Sequence, residues 1–331
     1  MAEIARLSGV SKPVVYTVLN HREGSGIHVS EKTAAKILGI SKELGYVAPK
    51  SAKDLFSGYS DTIGVLIQTL SAQAAALLEF LQQKAFESGQ DIIPYITMGD
   101  PELEEKYLEM CRDGRVDGII IISATQGSID RYRRFQAHPN NLKLLFVDGI
   151  YEGLSCVQHD RAQAAELSVR HFYDSGCRKI AYAGIYESSE QEGEYVKAVS
   201  AMGLKPISVV EGDLGAPVSA RSHRIAERIL KEKPDAVLAS NDFLALCIVS
   251  KGRDMGIKVP AELSVIGIGG IEASEYSTPR LSTLKVDFGA MADAAFSIIT
   301  QMIKKNMQEP EQKLIPCELL LRETTRKVQG K

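Results

Sequence analysis

Residues 7–20, LSGVSKPVVYTVLN, combine a glycine-containing turn with a short apolar segment that carries a proline near its start. Residues 8–10 have the composition of a tight turn, and Ser11 is placed to cap a following helix by accepting from its first N–H groups. Pro13 is tolerated there because N–H groups in the first helical turn have no partner within the helix. The stretch therefore predicts a turn followed by a helix.

The spacing of apolar residues in this helix predicts one buried and one exposed face. Val15, Val18 and Leu19 recur at three- and four-residue intervals, so they share the inward face. The outward face then carries Lys12, Pro13, Tyr16, Thr17 and Asn20. A preceding helix is predicted over residues 2–7 and a third over 31–44, capped by Ser30, with Ala34, Ile37, Leu38 and Ser41 inward. Together they have the pattern of a helix-turn-helix unit. A small helical cap on the rest of the chain is the alternative.

From residue 63 onward, short apolar runs alternate with longer segments of helical period. Strands that are apolar on both faces and alternate with helices predict parallel sheets covered by helices. About ten strands are more than a single sheet with one core usually contains, which favours two α/β lobes. The predicted strands are 63–67, 91–97, 116–123, 142–148, 179–184, 206–211, 236–240, 263–268 and 281–286; the predicted helices are 72–88, 101–112, 161–175, 219–233, 243–255 and 289–305.

Ligands of open parallel sheets bind at the carboxyl ends of the strands. The residues at these ends are therefore candidate ligand contacts, although each is equally compatible with an ordinary loop position: Gln68, Ser123, Asp148, Asp160, Asn241, Asp242, Gly269 and Gly270. The chain has no glycine-rich dinucleotide or phosphate loop and no G-x-S-x-G. These absences weigh against dinucleotide, nucleotide and ester-hydrolysis chemistry.

Composition and charge are those of a globular protein with a basic beginning. The chain of 331 residues has a formal net charge of −3, yet residues 1–60 carry eight Lys and Arg against five Asp and Glu. This asymmetry suits a small nucleic-acid-binding module on a larger body. The five cysteines are dispersed and odd in number, which predicts reduced thiols rather than a disulfide framework or metal site. No apolar run is long enough to span a bilayer, so we expect a cytoplasmic protein.

Several motifs, in order along the chain, closely resemble the lactose-repressor (LacI/GalR) family of bacterial transcription regulators. They are IARLSGVS (4–11), VLN (18–20), VSEKT (29–33), LGY (44–46), TIGVL (62–66), VDGII (116–120), GCRKIA (176–181), SNDFLA (240–245) and VPAELSVIG (259–267).

The resemblance implies a domain organisation and a set of partners. A helix-turn-helix domain would occupy residues 1–47, a hinge helix 48–60, and an effector and dimerisation domain 61–331. The lobes of that domain would comprise about 61–157 with 287–312, and 158–286 with 313–331, in a fold like that of periplasmic binding proteins. The protein would be a homodimer or a dimer of dimers that binds a near-palindromic operator and responds to a small effector between its lobes.

The resemblance also assigns DNA contacts. In the recognition helix these are Lys12, Pro13, Val14, Tyr16, Thr17 and Asn20; in the hinge they are Lys53 and Leu55, a leucine that would wedge between base steps. The reading residues depart from the usual Thr, Val, Ser, Arg, Val pattern, since this chain has VVYTV at 14–18. We therefore expect an unusual operator sequence.

The predicted effector site keeps some family positions and changes others. Asp148, Asn241 and Phe288 match sugar-contacting positions, whereas the usual arginine is matched by Glu190 and the usual strand-end aspartate by Gly269. The other predicted effector residues are Ser123, Asp160 and Asp242. Glycine lets a ligand approach backbone N–H groups, and the changes enlarge the cleft, so we expect a sugar or sugar phosphate. The alternative effector is a partner protein or an unrelated small molecule.

Two other functional classes fit the α/β body less well. A solute-binding protein without DNA function is disfavoured by the helix-turn-helix pattern, and an α/β enzyme by the missing phosphate loops. We therefore expect a repressor of carbohydrate-utilisation genes without catalytic residues, metal or cofactor.

Overall fold

The computed structural model describes residues 1–19, 28–46, 59–124, 126–137, 142–185, 190–211, 216–305 and 309–328. The predicted DNA contacts Asn20, Lys53 and Leu55 lie outside these ranges, as does nearly all of the predicted hinge 48–60.

The described residues of the N-terminal segment form three short helices, α1 (Ala2–Ser8), α2 (Lys12–Leu19) and α3 (Glu31–Glu43). Gly9 ends α1 in the left-handed conformation with φ of 75°, and its N–H donates to the Ala5 carbonyl. Ser30 caps α3 as predicted, since its hydroxyl accepts from the Thr33 N–H at 3.2 Å. The three helices enclose a small core of Ile4, Ala5, Val15, Val18 and Ile37.

One residue of α3 faces the opposite way from its prediction. The sequence pattern placed Leu38 on the inward face, but its side chain is 44% exposed, whereas Ile37 is fully buried. Adjacent helical residues point about 100° apart, so both cannot occupy the centre of a core this narrow.

The first sheet of the body has the strand order β11-β5-β4-β3-β1-β2, and its neighbouring strands are parallel. Its strands are β1 (Thr62–Ile67), β2 (Asp91–Ile96), β3 (Gly118–Ile122), β4 (Lys143–Val147), β5 (Ser155–His159) and β11 (Gln312–Ile315). The β1 strand is buried at every position, as a central parallel strand must be. Pro94 lies in β2 at the sheet edge, where a missing N–H breaks no central ladder.

The second sheet has the order β12-β10-β9-β8-β6-β7, in which β12 runs antiparallel to β10 and the other pairs are parallel. Its strands are β6 (Ile180–Gly184), β7 (Ser208–Val210), β8 (Ala236–Ala239), β9 (Ser264–Gly269), β10 (Ser282–Val286) and β12 (Cys317–Leu320). The chain passes from one sheet to the other at residues 160, 287 and 316.

Helices cover both sheets. They are α4 (Ala72–Glu87), α5 (Pro101–Met110), α6 (Ile129–Gln136), α7 (Arg161–Asp174), α8 (Glu190–Ala201), α9 (Val218–Lys231), α10 (Asp242–Asp254), α11 (Ala273–Tyr276) and α12 (Phe288–Lys305). Among these, α4 packs against α12 beside the first sheet, and α7 packs against α8 beside the second. Two α/β lobes behind a helical N-terminal segment confirm the predicted fold class.

The strands and helices that the sequence patterns missed are short or polar. The β5 segment SCVQH lacks an apolar run, and three of the four β11 residues are exposed. The patterns also missed β12, α6 and α8, and α8 contains Gly193. The β5 strand extends to His159 and β11 to Ile315, which is two and three residues past the approximate lobe limits predicted at 157 and 312.

Candidate functional site

The α2 helix presents part of the surface that the sequence predicted for DNA contact. Lys12 and Pro13 are exposed, and Val14 and Tyr16 are partly exposed. Val15 and Val18 are buried in the small core, as expected. Lys36 of α3 donates to the Ser8 carbonyl at 3.0 Å, which ties α3 to the turn before α2. These contacts fix the orientation of α2 within the three-helix unit.

Thr17 corrects one of these predictions. The helical period placed its side chain on the outward face, but the residue is only 8% exposed. A threonine side chain is short and stays close to its own helix, where longer neighbours can cover it. Thr17 is therefore not part of the free surface of α2 in the isolated chain.

The body contains a cavity where the carboxyl ends of strands from both sheets meet. The volume open to the centres of water-sized spheres is about 60 Å³, and all the space between atoms, including the open mouth, is about 500 Å³. Sites at strand carboxyl ends are typical of parallel α/β folds. The cavity is lined by Gln73, Ala74, Leu77, Ile122, Ser123, Asp148, His159, Arg161, Gln191, Ser240, Ile268, Val286, Phe288 and Met291.

Asp148 lies at the centre of the polar half of this cavity. Its Oδ1 is 3.1 Å from Arg161 Nη2 and 3.4 Å from His159 Nδ1, and its Oδ2 accepts from the Ser123 hydroxyl at 3.2 Å. Burial disfavours the charged carboxylate, but the hydrogen bond from His159 and the charge of Arg161 hold the pKa of Asp148 well below its usual range. Asp148 is therefore ionised in the folded protein.

Two residues at this site have backbone conformations that side chains seldom adopt. Ser123 and Asp148, at the carboxyl ends of β3 and β4, have φ of 58° and 66°. Non-glycine residues in this left-handed region are uncommon and cluster at functional sites. The side chains of these two strained residues also bond to each other, so the two predicted residues lie together at one site.

Arg161 is a cavity residue that the sequence analysis missed. Its guanidinium donates to the Asp148 carbonyl at 2.8 Å and to Asp148 Oδ1, and its Nη1 donates to Glu190 Oε2 at 3.1 Å. Glu190 was predicted to reverse the charge at the usual arginine position. The structure instead pairs Glu190 with an arginine supplied by α7.

Three helices that begin at the cavity share one arrangement. In each, one residue caps the helix, while a neighbouring residue lines the cavity. Asp160 accepts from the Gln163 N–H, Asn241 from the Leu244 N–H and Asp287 from the Ala290 N–H. The neighbours that line the cavity are Arg161, Ser240 and Phe288. Asp160 and Asn241, both predicted effector contacts, therefore cap helices beside the cavity and are not among the residues that line it, whereas Phe288 lies on the cavity wall.

Asp242 also has a different position from its prediction. Its carboxylate is 1% exposed and accepts from the Thr283 hydroxyl at 2.6 Å and from the Ile271 N–H at 2.8 Å. Burial raises the pKa of this carboxyl group, and the hydrogen bonds from Thr283 and Ile271 oppose the rise. Asp242 holds the loop after β9 and does not line the cavity.

The N–H groups of Gly270 and of the following Ile271 are not free for a ligand, as the glycine pair had suggested, but bond within the protein. The Gly270 N–H donates to Thr283 Oγ1 at 3.2 Å, and the Ile271 N–H is taken by Asp242. A Cβ on Gly269 would lie 3.0 Å from the amide nitrogen of Gln73, which itself donates to the Ile268 carbonyl. The absence of a side chain at residue 269 thus lets α4 of the first lobe contact β9 of the second.

Gly270→Ala is expected to destabilise the protein more than Gly203→Ala. Both residues have nearly the same φ, 73° and 71°, so both substitutions carry the left-handed penalty of about 1–2 kcal/mol. A Cβ on Gly270 would also lie 3.0 Å from Lys285 Cα, whereas Gly203 faces open space. We expect an additional cost of roughly 1–3 kcal/mol for Gly270→Ala. Urea unfolding of both variants measures the difference, and equal losses would refute the steric argument.

Within the described ranges, no three His, Cys, Asp or Glu side chains are placed to hold a metal ion. The five cysteines are unpaired; Cys247 is half-buried, and Cys111, Cys156, Cys177 and Cys317 are buried, as expected for reduced thiols. The same part of the chain has no helix with the length and apolar character that a membrane span requires.

Comparison with known proteins extends the similarity over nearly the whole chain. A family model described as a periplasmic binding protein-like domain matches residues 169–325. The HTH-type transcriptional repressor PurR of Photobacterium profundum is 26% identical over 98% of both chains. The sucrose operon repressor of Streptococcus mutans is 27% identical over 97% of both.

A solved structure shows the same architecture from end to end. The lac repressor dimer bound to operator and the anti-inducer ONPF superimposes with a TM-score of 0.86 at 25% identity, covering 97% of each chain. The three-helix unit, the two sheets and the motifs between them thus agree with one family of proteins. Over nearly its whole length the chain is therefore similar to transcriptional repressors related to the lac repressor.

Proposed function

We propose that this protein is a sequence-specific DNA-binding repressor of carbohydrate-utilisation genes, controlled by a sugar or sugar phosphate in the cavity between its lobes. The observation that carries the proposal is the end-to-end similarity to a repressor dimer solved with both operator and a small ligand. The sucrose operon repressor among the relatives supports the carbohydrate class. The protein acts by binding and not by catalysis, in the cytoplasm where the DNA lies.

The operator is a near-palindromic duplex bound by a homodimer, because a two-fold symmetric protein reads two related half-sites. In the described part of α2, Lys12, Pro13, Val14 and Tyr16 form the proposed contact surface. Asn20, Lys53 and Leu55 remain proposed contacts outside the described residues. Thr17 is left out of the surface because it is buried.

The proposed effector site consists of Ser123, Asp148 and Phe288, together with the cavity residues His159, Arg161 and Ser240. Asp148 and the amides of Gln73 and Gln191 offer the hydrogen-bonding groups that hydroxyl-rich ligands require, and Phe288 offers an apolar face. Effector binding acts by a different affinity for the two arrangements of the lobes, a coupling of typically about 1–3 kcal/mol.

The experiment that tests the function begins with selection of duplexes from a random library by the purified full chain. Binding of the selected duplex is then titrated with and without neutral sugars, sugar phosphates and sugar acids. A selected palindromic motif whose binding changes with one of these compounds supports the proposal. Failure to enrich any sequence would contradict it, and regulation by an added protein alone would favour the partner-protein alternative.

Lys12→Ala is expected to weaken binding of the selected duplex by about tenfold, since a lost base or phosphate contact costs roughly 1–3 kcal/mol. If Lys12 contacts a phosphate, the slope of log affinity against log salt falls by about one. Fluorescence anisotropy at several salt concentrations measures both quantities. The control is Lys197→Ala on α8, which removes the same charge from an exposed side chain of the second lobe. Equal effects of the two variants would exclude α2 as the contact surface.

A further inference from the structure

We propose that Arg161 determines effector specificity and that the effector carries an anionic group, a phosphate ester or a carboxylate, that replaces Glu190 on the Arg161 guanidinium. This inference rests on the proposed function, because it concerns the ligand of the same cavity.

The Arg161 guanidinium joins the two lobes. The Arg161 side chain is 14% exposed. Arg161 is the first residue of α7, which packs against the second sheet. It bonds to Asp148 at the end of β4 in the first lobe and to Glu190 at the start of α8 in the second. Its Nε is buried without a hydrogen-bond partner among the described residues. An arginine side chain can only donate hydrogen bonds, so the Nε–H group can bond to an acceptor on a ligand.

The two carboxylates are held very differently. Asp148 is fixed by contacts with Arg161, His159 and Ser123. Glu190 is 47% exposed and bonds to Arg161 through one oxygen. Exposed ion pairs contribute little to stability, so the Glu190 carboxylate is the partner that leaves at low cost.

The departure of Glu190 leaves donors of Arg161 without acceptors. Arg161 keeps its ion pair with Asp148, but its Nη1 loses the Glu190 oxygen and its Nε is already without a partner in the described chain. An anionic group accepts from both nitrogens and restores the lost negative charge, whereas the hydroxyls of a neutral sugar restore no charge. The Ser240 hydroxyl is also buried without a partner in the described chain, and it can donate to the same ligand.

The first test uses inorganic phosphate and does not depend on the identity of the effector. Glu190→Gln removes the resident anion, and calorimetric titration of the full chain should show phosphate binding at least about tenfold tighter than in the wild type. The matched control is Glu194→Gln on the same helix, whose carboxylate pairs with Lys197. Arg161→Gln combined with Glu190→Gln should abolish the gain. Equal phosphate affinity in all four proteins would overturn the inference.

The second test uses matched compounds in the operator-binding assay: glucose with glucose 6-phosphate and gluconate, and sucrose with sucrose 6-phosphate. We expect the compounds that change operator affinity to be anionic, and Arg161→Gln to raise their half-effective concentrations at least about tenfold. Activity of the phosphate esters or of the acid identifies which anion is read. Control by the neutral sugars alone would overturn the inference and leave the proposed repressor function standing. Failure of sequence-specific DNA binding would overturn the function, while the phosphate titration would still report on Arg161.

Discussion

Ile37→Asp is expected to abolish specific operator binding, with a loss of at least about 100-fold in affinity. Ile37 is fully buried in the small core of α1, α2 and α3. An unpaired carboxylate there costs several kcal/mol, and a core of this size rarely supplies more than about 3–5 kcal/mol. The three-helix unit should therefore unfold, and α2 should lose its orientation.

The adjacent residue provides the matched control. Leu38 is 44% exposed, so Leu38→Asp adds the same negative charge to the three-helix unit without entering its core. We expect it to weaken operator binding by only a few fold, through charge repulsion. Differential scanning calorimetry should show the transition of the two-lobed body unchanged in both variants. Comparable losses in the two variants would show that charge, and not packing, dominates the effect.

Asp148→Ala is expected to destabilise the two-lobed body by roughly 1–3 kcal/mol and to eliminate the effector response. This loss lies between the contributions of exposed and of fully buried ion pairs to stability, because the Asp148 side chain is 34% exposed and that of Arg161 is 14% exposed. The substitution removes the ion pair between Asp148 of the first lobe and Arg161. It also leaves His159 and Ser123 without the carboxylate that accepts from both. Chemical unfolding and operator release by an active compound measure the two effects.

The pH dependence of this loss follows from the lowered pKa of Asp148. A carboxylate whose pKa is lower in the folded than in the unfolded protein stabilises the fold above the unfolded value of about 4, and this contribution is lost as pH falls. The stability difference between wild type and Asp148→Ala should therefore be full at pH 7 and shrink below about pH 4. Asp130→Ala, on the exposed surface of α6, is the control. A pH-independent difference would contradict the assigned ion pair.

The strands were predictable where burial on both faces leaves an uninterrupted apolar run, as in β1 and β3. The same reasoning failed for β5 and β11, because a strand of mixed composition is stabilised by its neighbours in the sheet and not by its own pattern. The three-helix unit was predictable from turn and capping residues such as Gly9 and Ser30, whose effects are local. Leu38 and Thr17 were misplaced because helical period gives an angle around the axis and not the depth of the surrounding packing.

At the cavity, the sequence identified the strand ends and, with them, Ser123 and Asp148, and the family resemblance pointed to Phe288. It could not tell whether a polar residue at a strand end caps the following helix or faces a ligand. Asp160 and Asn241 cap, while their neighbours Arg161 and Ser240 line the cavity. Whether such a residue caps depends on whether the free backbone N–H groups of the following helix point toward its side chain.

By itself, the sequence predicted the resemblance to a repressor family, the three-helix unit and the central strands of both sheets, because these depend on local patterns and motifs that neighbouring residues specify. The tertiary structure decided the electrostatics of the cavity. Residues 148, 161 and 190 are distant in sequence, and the charge that Arg161 presents depends on which carboxylates the two lobes bring to it. A charge reversal predicted at Glu190 thus became an ion pair, since the sign of a residue is local but its partner is set by the fold.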